Sequence, residues 1–231
     1  MKYLGKPAGM WALFAGSFEK HLTVEFDLTA GQAKDVAARA KKKYREIIAK
    51  LPEFDRRDRF EMNIVNCAML AAFILCMPQR PDIKTLTDYY AAAMMTPTMK
   101  AFCRASGKKK FTPKDIEGMK ATAKLRAGDR NPYSWNMDFF EYEDGSGYEA
   151  RFTTCGICTL MQVLGLYDLT PALCHLDYTM SEAGGASDFV RALLRLRVSQ
   201  KAVKKQKGCV FRCILFPLCR GLNPRCRHPR P

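Results

Sequence analysis

Apolar residues recur at helical spacing along the first half of the chain, and this pattern predicts an N-terminal layer of helices. Trp11, Phe14 and Phe18 share one face of the first predicted helix. The second predicted helix has Thr29 as its N-cap. Its apolar stripe comprises Val36, Ala40, Tyr44, Ile47 and Ile48.

The most apolar segment, residues 60–77, predicts a helix that ends before Pro78. Only residues 67–77 are free of polar side chains, which is well short of the roughly 20 apolar residues that span a bilayer. We therefore expect a buried core helix and no membrane span.

Capping residues mark two more helices in this half of the chain. Asp82 is the predicted N-cap of the first, and Pro97 should kink or divide it. Thr112 is the predicted N-cap of the second, with Pro113 at the first helical position.

The hydrophobic period then changes to that of β-strands. In "SWNMDFFEYEDGSGYEARFTT", two β-rich runs flank "EDGSG", which predicts a hairpin. Helical spacing returns in "CGICTLMQVLGL" and in "TPALCHLDYTMSEA", where Thr170 is the predicted N-cap. The expected fold class is α+β, with an N-terminal helical layer packed on a small antiparallel sheet and two further helices.

The positive charge of the chain is concentrated at its C-terminal end. The net charge is +15, and 12 of the 38 Lys and Arg but none of the 23 Asp and Glu lie in residues 191–231. We therefore divide the chain into an α+β domain, residues 1–190, and a basic Cys- and Arg-rich tail, residues 191–231, that is disordered or atypical. A change of reading frame near residue 190 would produce the same break in composition.

A basic tail can bind nucleic acid or anionic lipid through charge alone. The rest of the chain offers no recognition helix, RNP-like aromatic residues or zinc-finger spacing that would make such binding specific. We expect a small-molecule substrate and no specific nucleic-acid partner.

Ten cysteines raise the question of disulfides. Cys67, Cys76 and Cys103 lie in helical, Ala- and Met-rich segments, where a free cysteine packs as a small apolar residue. The N-terminus has the basic residues of a signal peptide, but its amphipathic spacing and the lack of a cleavage motif favour an ordinary helix. We expect a reducing, cytoplasmic location.

Cys174 and Asp177 lie one turn apart in the last predicted helix, on the flank of its core-facing side. Tyr178 lies on the same flank, whereas His175 points away, which makes a Cys174–His175 pair geometrically poor. A structural role competes with a chemical one, because Leu169 and Cys174 occupy the two positions of a hydrophobic staple.

Cys155 and Cys158 form a C-x-x-C motif where the hairpin ends and a helix begins. A helix N-terminus lowers the pKa of a thiol, which favours a reactive thiolate. The motif can be a redox pair, half of a zinc site or two small packed residues. With Cys174 as a third ligand and Asp177 as a fourth, the candidate metal is zinc.

The loop "GDRNPYSWNM", residues 128–137, contains two candidates for substrate binding. Arg130 can hold a carboxylate with two hydrogen bonds, and Trp135 can line a pocket. Arg130 can equally cap the end of the preceding helix.

The run "FTTCGICTLMQVLGLYDLTPALCHLDYTMSE" resembles the L-2-amino-thiazoline-4-carboxylic acid hydrolase family. The resemblance rests on a strand that leads into Cys155, a short helix that ends in Leu-Gly, and a helix that contains Cys174 and Asp177. It covers residues 1–190. Family members continue with a strand and a Gly-containing turn into a final Cys-Asp pair, whereas here "DFVR" runs into the basic tail without such a pair.

The resemblance implies hydrolysis of a small cyclic amidine or thiazoline, with L-2-amino-thiazoline-4-carboxylate converted to N-carbamoyl-L-cysteine. By chemical type, Cys155 and Cys174 would act as nucleophile or ligand, and Asp177 as base or orienting partner. The substrate-binding residues would be Arg130, as a clamp for the carboxylate, Trp135 and Tyr178. The alternative function is a non-enzymatic small-molecule or metal-sensing domain that uses the same cysteines.

Overall fold

The computed structural model describes residues 7–54, 60–110, 112–143, 148–185, 187–193 and 211–217. The helices in these ranges are α1 (Pro7–Glu25), α2 (Ala30–Ala49), α3 (Glu61–Cys76), α4 (Ile83–Met94), α5 (Pro97–Gly107), α6 (Pro113–Arg126), α7 (Gly156–Val163) and α8 (Thr170–Gly184). The strands are β1 (Asn136–Glu141), β2 (Tyr148–Thr154), β3 (Ser187–Leu193) and β4 (Phe211–Pro217). The predicted α+β class is confirmed.

The N-terminal helices begin where their capping residues predict. Thr29 and Gln32 form a reciprocal capping box at the start of α2, in which the Thr29 hydroxyl accepts a hydrogen bond from the Gln32 N–H. The side chain of Asp82 caps α4, and that of Thr112 caps α6. The chain breaks between α4 and α5, and Pro97 takes the first position of α5.

Helix α3 lies at the centre of the core. Twelve of its 16 residues are buried, and it packs against α1, α2 and α7. The Phe73 ring lies 5.5 Å from Trp11 and 5.0 Å from Phe18, measured between ring centroids. Phe18 also meets Tyr89 and Tyr90 of α4 edge-on. In the described part of the chain, no helix is long and apolar enough to cross a membrane.

The four strands form one antiparallel sheet in the order β1-β2-β4-β3. The predicted hairpin is the β1–β2 pair, and residues 144–147 of its loop lie outside the described residues. Strand β4 lies between β2 and β3, with Phe211 opposite Phe152 of β2 and Pro217 opposite Ser187 of β3. Helix α6 packs on the edge strand β1, and α8 packs on β3.

Part of the sheet comes from residues for which the sequence pattern predicts no regular element. Strand β3 crosses residue 190, and β4 lies wholly within residues 191–231. The β4 sequence "FRCILFP" lacks the polar–apolar alternation by which a strand is predicted, and its pairing partners are distant in the chain. Residues 194–210 and 218–231 lie outside the described residues, so the division into a domain and a tail stays a prediction.

Candidate active site

The structure brings side chains from four helices together around Cys67, in the middle of α3. The Tyr90 hydroxyl of α4 donates a hydrogen bond to the Cys67 thiol. Cys155 at the start of α7, and Cys174 and Asp177 on α8, lie close enough for their charges to raise the pKa of Cys67. We call these five residues the cysteine–tyrosine cluster.

Burial determines the protonation of the two central groups. Loss of solvent is the largest cause that raises the pKa of Cys67 well above its ordinary value of 9.0, and that of Tyr90 well above 10.0. Cys174, Cys155 and Asp177 raise the pKa of Cys67 further through the negative charge that each carries when ionised, whereas the hydrogen bond from Tyr90 acts in the opposite direction. Both groups are therefore neutral at physiological pH and can donate hydrogen bonds.

Cys155 is buried at the N-cap of α7, where a preceding loop packs against the helix start. An ideal Cβ on Gly156 would lie 2.1 Å from the carbonyl oxygen of Tyr133, so only glycine permits this approach. Hydrogen bonds hold the loop in shape: the Asn131 N–H donates to Asp129 Oδ1 at 2.8 Å, and the Tyr133 N–H donates to Asn131 Oδ1 at 3.0 Å. The first N–H groups of a helix have no intrahelical acceptor, so this helix start favours negative charge.

Helix α8 supplies Cys174 and Asp177 as the pair that their spacing predicts. Cys174 is buried and Asp177 is exposed, so the carboxylate lies on the solvent side of the cluster. His175 is exposed and its ring lies 5.4 Å from that of the half-buried Tyr178. The predicted separation of His175 from Cys174 agrees with this arrangement.

The start of α8 differs from the prediction. Thr170 is already helical, and its hydroxyl donates to the Tyr167 carbonyl at 2.6 Å instead of capping the helix. A 3₁₀ turn, Tyr167–Leu169, runs directly into α8, so Leu169 takes the N-cap position without a side-chain cap. Leu169 and Cys174 are both buried, which is the packing role that the sequence also allows.

Arg130 is exposed on the loop before β1, and it forms no ion pair with a described residue. Arg126 is the buried arginine of this region, and its guanidinium pairs with Asp129 at 2.5 Å. Although burial opposes ionisation, hydrogen bonds from the Asn131 N–H and from Arg126 hold the pKa of Asp129 below its ordinary value. The α6 end is therefore braced by Arg126, which leaves Arg130 available to a ligand.

Trp135, the other loop residue expected to bind substrate, is buried rather than open to solvent. Its ring packs against Phe60 with 5.2 Å between centroids, and Phe60 in turn meets Phe152 of β2 edge-on at 6.0 Å. Trp135 thus joins the loop to the core and to the sheet.

The cysteines proposed as zinc ligands are not arranged as a metal site. Cys155, Cys158 and Cys174 are each buried, yet among the described residues no group of three or more His, Cys, Asp and Glu side chains is placed to hold a metal ion. These side chains do not fit zinc, so we derive no step through a metal. Six cysteines are free thiols and form no disulfide: Cys67, Cys76, Cys103, Cys155, Cys158 and Cys174.

Residues 57–213 match the family model described as L-2-amino-thiazoline-4-carboxylic acid hydrolase. The chain belongs to this family. The match contains the whole cysteine–tyrosine cluster, and it continues past residue 190 through β3 to the third residue of β4. No curated protein and no solved structure matches the chain.

The sequence does not predict two residues of the cluster, Cys67 and Tyr90. Cys67 sits in an apolar helix and is indistinguishable from its core neighbours by pattern. Tyr90 belongs to the buried face of α4 and pairs with Cys67 only because the two helices bring these positions together. The available signal for Tyr90 was its hydroxyl, because a buried hydroxyl needs a hydrogen-bond partner.

Proposed function

We propose that this chain hydrolyses a small cyclic amidine or thiazoline, and that its substrate is L-2-amino-thiazoline-4-carboxylate. Family membership supports the hydrolase class. The observation that carries the proposal is the meeting of Cys155, Cys174 and Asp177 with Cys67 and Tyr90 in one cluster. The product would be N-carbamoyl-L-cysteine, which places the reaction in cysteine metabolism.

The proposed reaction adds one water molecule to the thiazoline ring. The water oxygen attacks the carbon between the ring nitrogen and the sulfur, and the bond from that carbon to the sulfur breaks. Both protons leave the water oxygen as it becomes the carbonyl oxygen: one reaches the former ring nitrogen and one reaches the departing sulfur, so the atoms balance without an added reactant. The reaction therefore needs a base, an acid and a group that stabilises the developing charge.

Asp177 is our candidate for the base, because it is the solvent-exposed member of the cluster. Cys174, one helical turn before it, is the candidate acid, since a thiol and the departing sulfur have similar pKa values. The neutral Tyr90 and Cys67 would donate hydrogen bonds towards the charge that develops. Cys155, at the start of α7, would lie beside the same developing charge.

The substrate carboxylate requires a cation, and Arg130 is our candidate for it. Its loop is braced by Asp129 and packs through Tyr133 against Gly156, next to Cys155. Arg130 therefore belongs to the loop that touches the start of α7 beside Cys155. Trp135 would anchor this loop to the core, and Tyr178 would line the substrate site on the α8 side.

The test is thiol release from L-2-amino-thiazoline-4-carboxylate, followed with a thiol reagent under excess substrate. We expect turnover by the wild type, and a loss of at least about a hundredfold in kcat for both Cys174→Ala and Asp177→Asn, because each removes a proton-transfer group. Cys103→Ala and Asp88→Asn are the matched controls, since Cys103 is buried in α5 and Asp88 is bonded to Lys84 on the surface of α4. Both controls should retain wild-type turnover.

Circular dichroism of each variant separates loss of chemistry from loss of fold. Turnover that survives in Asp177→Asn would exclude the assigned base. A folded wild type without turnover would reject this substrate, and saturable binding of the same compound without turnover would favour the small-molecule-sensing alternative.

A further inference from the structure

A surface groove between α1 and α2 has no part in the proposed reaction. Its cavity volume is about 450 Å³, which lies in the range of about 300–1,000 Å³ that small-molecule sites occupy. Alanines at positions 8 and 12 of α1 and 49 of α2 border it, and their short side chains leave the space between the helices open.

The floor of the groove is apolar and fixed by the core. Tyr44 and Ile48 are buried on the inner face of α2. The half-buried Trp11 stacks on Phe73 with ring planes 9° apart, and its centroid lies 5.6 Å from that of Tyr44. The Tyr44 hydroxyl donates to the carbonyl oxygen of Pro7 at 3.3 Å, which ties the two helices together. A ligand would therefore meet a preformed surface.

Two cations border this floor, and no described acidic residue does. Lys41 and Arg45 lie one turn apart on α2, both are exposed, and neither forms an ion pair with a described residue. The groove on the other side of α2 differs, because there Lys43 is bonded to Glu46 at 2.7 Å. An apolar floor edged by two available cations complements a molecule with a hydrophobic body and a negative head group.

We propose that the α1–α2 groove binds an amphipathic carboxylate. Its hydrocarbon body lies on Trp11, Tyr44 and Ile48, and its carboxylate lies between Lys41 and Arg45. The two i, i+4 cations can reach one carboxylate from the same helix face.

The test is isothermal titration calorimetry of the full chain with decanoate, below the concentration at which decanoate forms micelles. We expect one saturable site in the wild type, and a loss of affinity of roughly three- to tenfold in Lys41→Gln and in Arg45→Gln. Lys42→Gln is the matched control, because it removes the same charge from the same helix but outside the groove. Its affinity should stay within about twofold of the wild type.

Two further measurements distinguish the groove from general surface attraction. Ala12→Phe fills the groove and should abolish binding while the helical circular dichroism signal stays unchanged. Decan-1-ol has the same chain without the charge, so it should bind several-fold more weakly than decanoate. No saturable heat from the folded wild type, equal losses in Lys42→Gln and Arg45→Gln, or equal binding of decanol would each overturn the proposal.

Discussion

Gly156 allows the backbone of Tyr133 to touch the start of α7, and this contact fixes the place of Cys155. A Cβ at this position would lie 2.1 Å from the Tyr133 carbonyl oxygen and 3.0 Å from Ile64 Cδ1. One neighbour is backbone and the other is a fully buried core side chain, so neither can yield easily.

Gly156→Ala should therefore lower the free energy of unfolding by about 1–3 kcal/mol, as overpacking in a core does. The displaced α7 start should also lower turnover of the proposed substrate. Urea unfolding followed by circular dichroism measures the first effect.

The control is Gly16→Ala, because Gly16 is exposed in α1 and an added Cβ meets no atom within 4 Å. Alanine is the better helix former, so this variant should be more stable than the wild type by about 0.5–1 kcal/mol. Equal destabilisation by the two substitutions would show that the Tyr133 contact has no special role.

At this scale the sequence predicts single contacts only where one helix contains both partners. Helical periodicity alone places Cys174 beside Asp177 and turns His175 away. The Cys67–Tyr90 hydrogen bond joins two helices, and no local sequence pattern predicts how those helices cross. The Thr170 cap was wrong for a related reason, since the preceding turn already supplies a helical backbone at that residue.

At the scale of elements, two glycines let α5 and α8 approach closely. A Cβ on Gly107 would lie 2.4 Å from the Gly184 carbonyl oxygen, and one on Gly184 would lie 3.2 Å from that of Cys103. Helix α8 also packs on α4 and supplies Cys174 and Asp177. The α5–α8 crossing therefore helps to set the position of the cluster.

Gly107→Ala should push α5 away from α8 and destabilise the fold by about 1–3 kcal/mol. In a chain of this size, each kcal/mol lowers Tm by roughly 2–4 °C, which thermal denaturation resolves. Gly128→Ala is the control, because no atom lies within 4 Å of its added Cβ. A Tm for Gly107→Ala as high as that of the control would contradict the close crossing.

Helix starts in the first half of the chain were the most predictable part of the fold, because the sequence marks them chemically. Thr29, Asp82 and Thr112 each supply the oxygen that a helix start requires, and Pro97 breaks the pattern between α4 and α5. Strand β4 carries no such mark. Its place depends on hydrogen bonds to β2 and β3, which are remote in sequence.

At the scale of the whole molecule, buried thiol and phenol groups make stability depend on alkaline pH. Burial is the main cause that raises the pKa of Cys67 above 9.0, and those of Tyr89 and Tyr90 above 10.0. Below these ordinary values both the folded and the unfolded chain keep the protons. Above them the unfolded chain releases protons that the folded chain retains, so stability falls as pH rises.

We expect the free energy of unfolding to decrease from about pH 8 to about pH 10.5, by up to roughly 1.4 kcal/mol per pH unit for each such group that ionises only on unfolding. Urea titrations across this interval measure the slope. Cys67→Ala should show a shallower decrease, because one of these groups is gone. An identical slope in the variant would mean that Cys67 is no more difficult to ionise in the fold than in the unfolded chain.

The central position of β4 also sets the order in which this chain can complete its fold. The eight described helices and the β1–β2 hairpin form from residues near one another and precede β4 in the chain, so they can assemble while synthesis continues. Strand β3 leaves the ribosome before β4, which is its pairing partner among the described strands. Strand β2 also keeps one edge unpaired until residues 211–217 are synthesised. Unpaired strand edges are templates for pairing with other chains. The nascent protein is therefore most in need of a chaperone in the interval between the synthesis of β3 and that of β4.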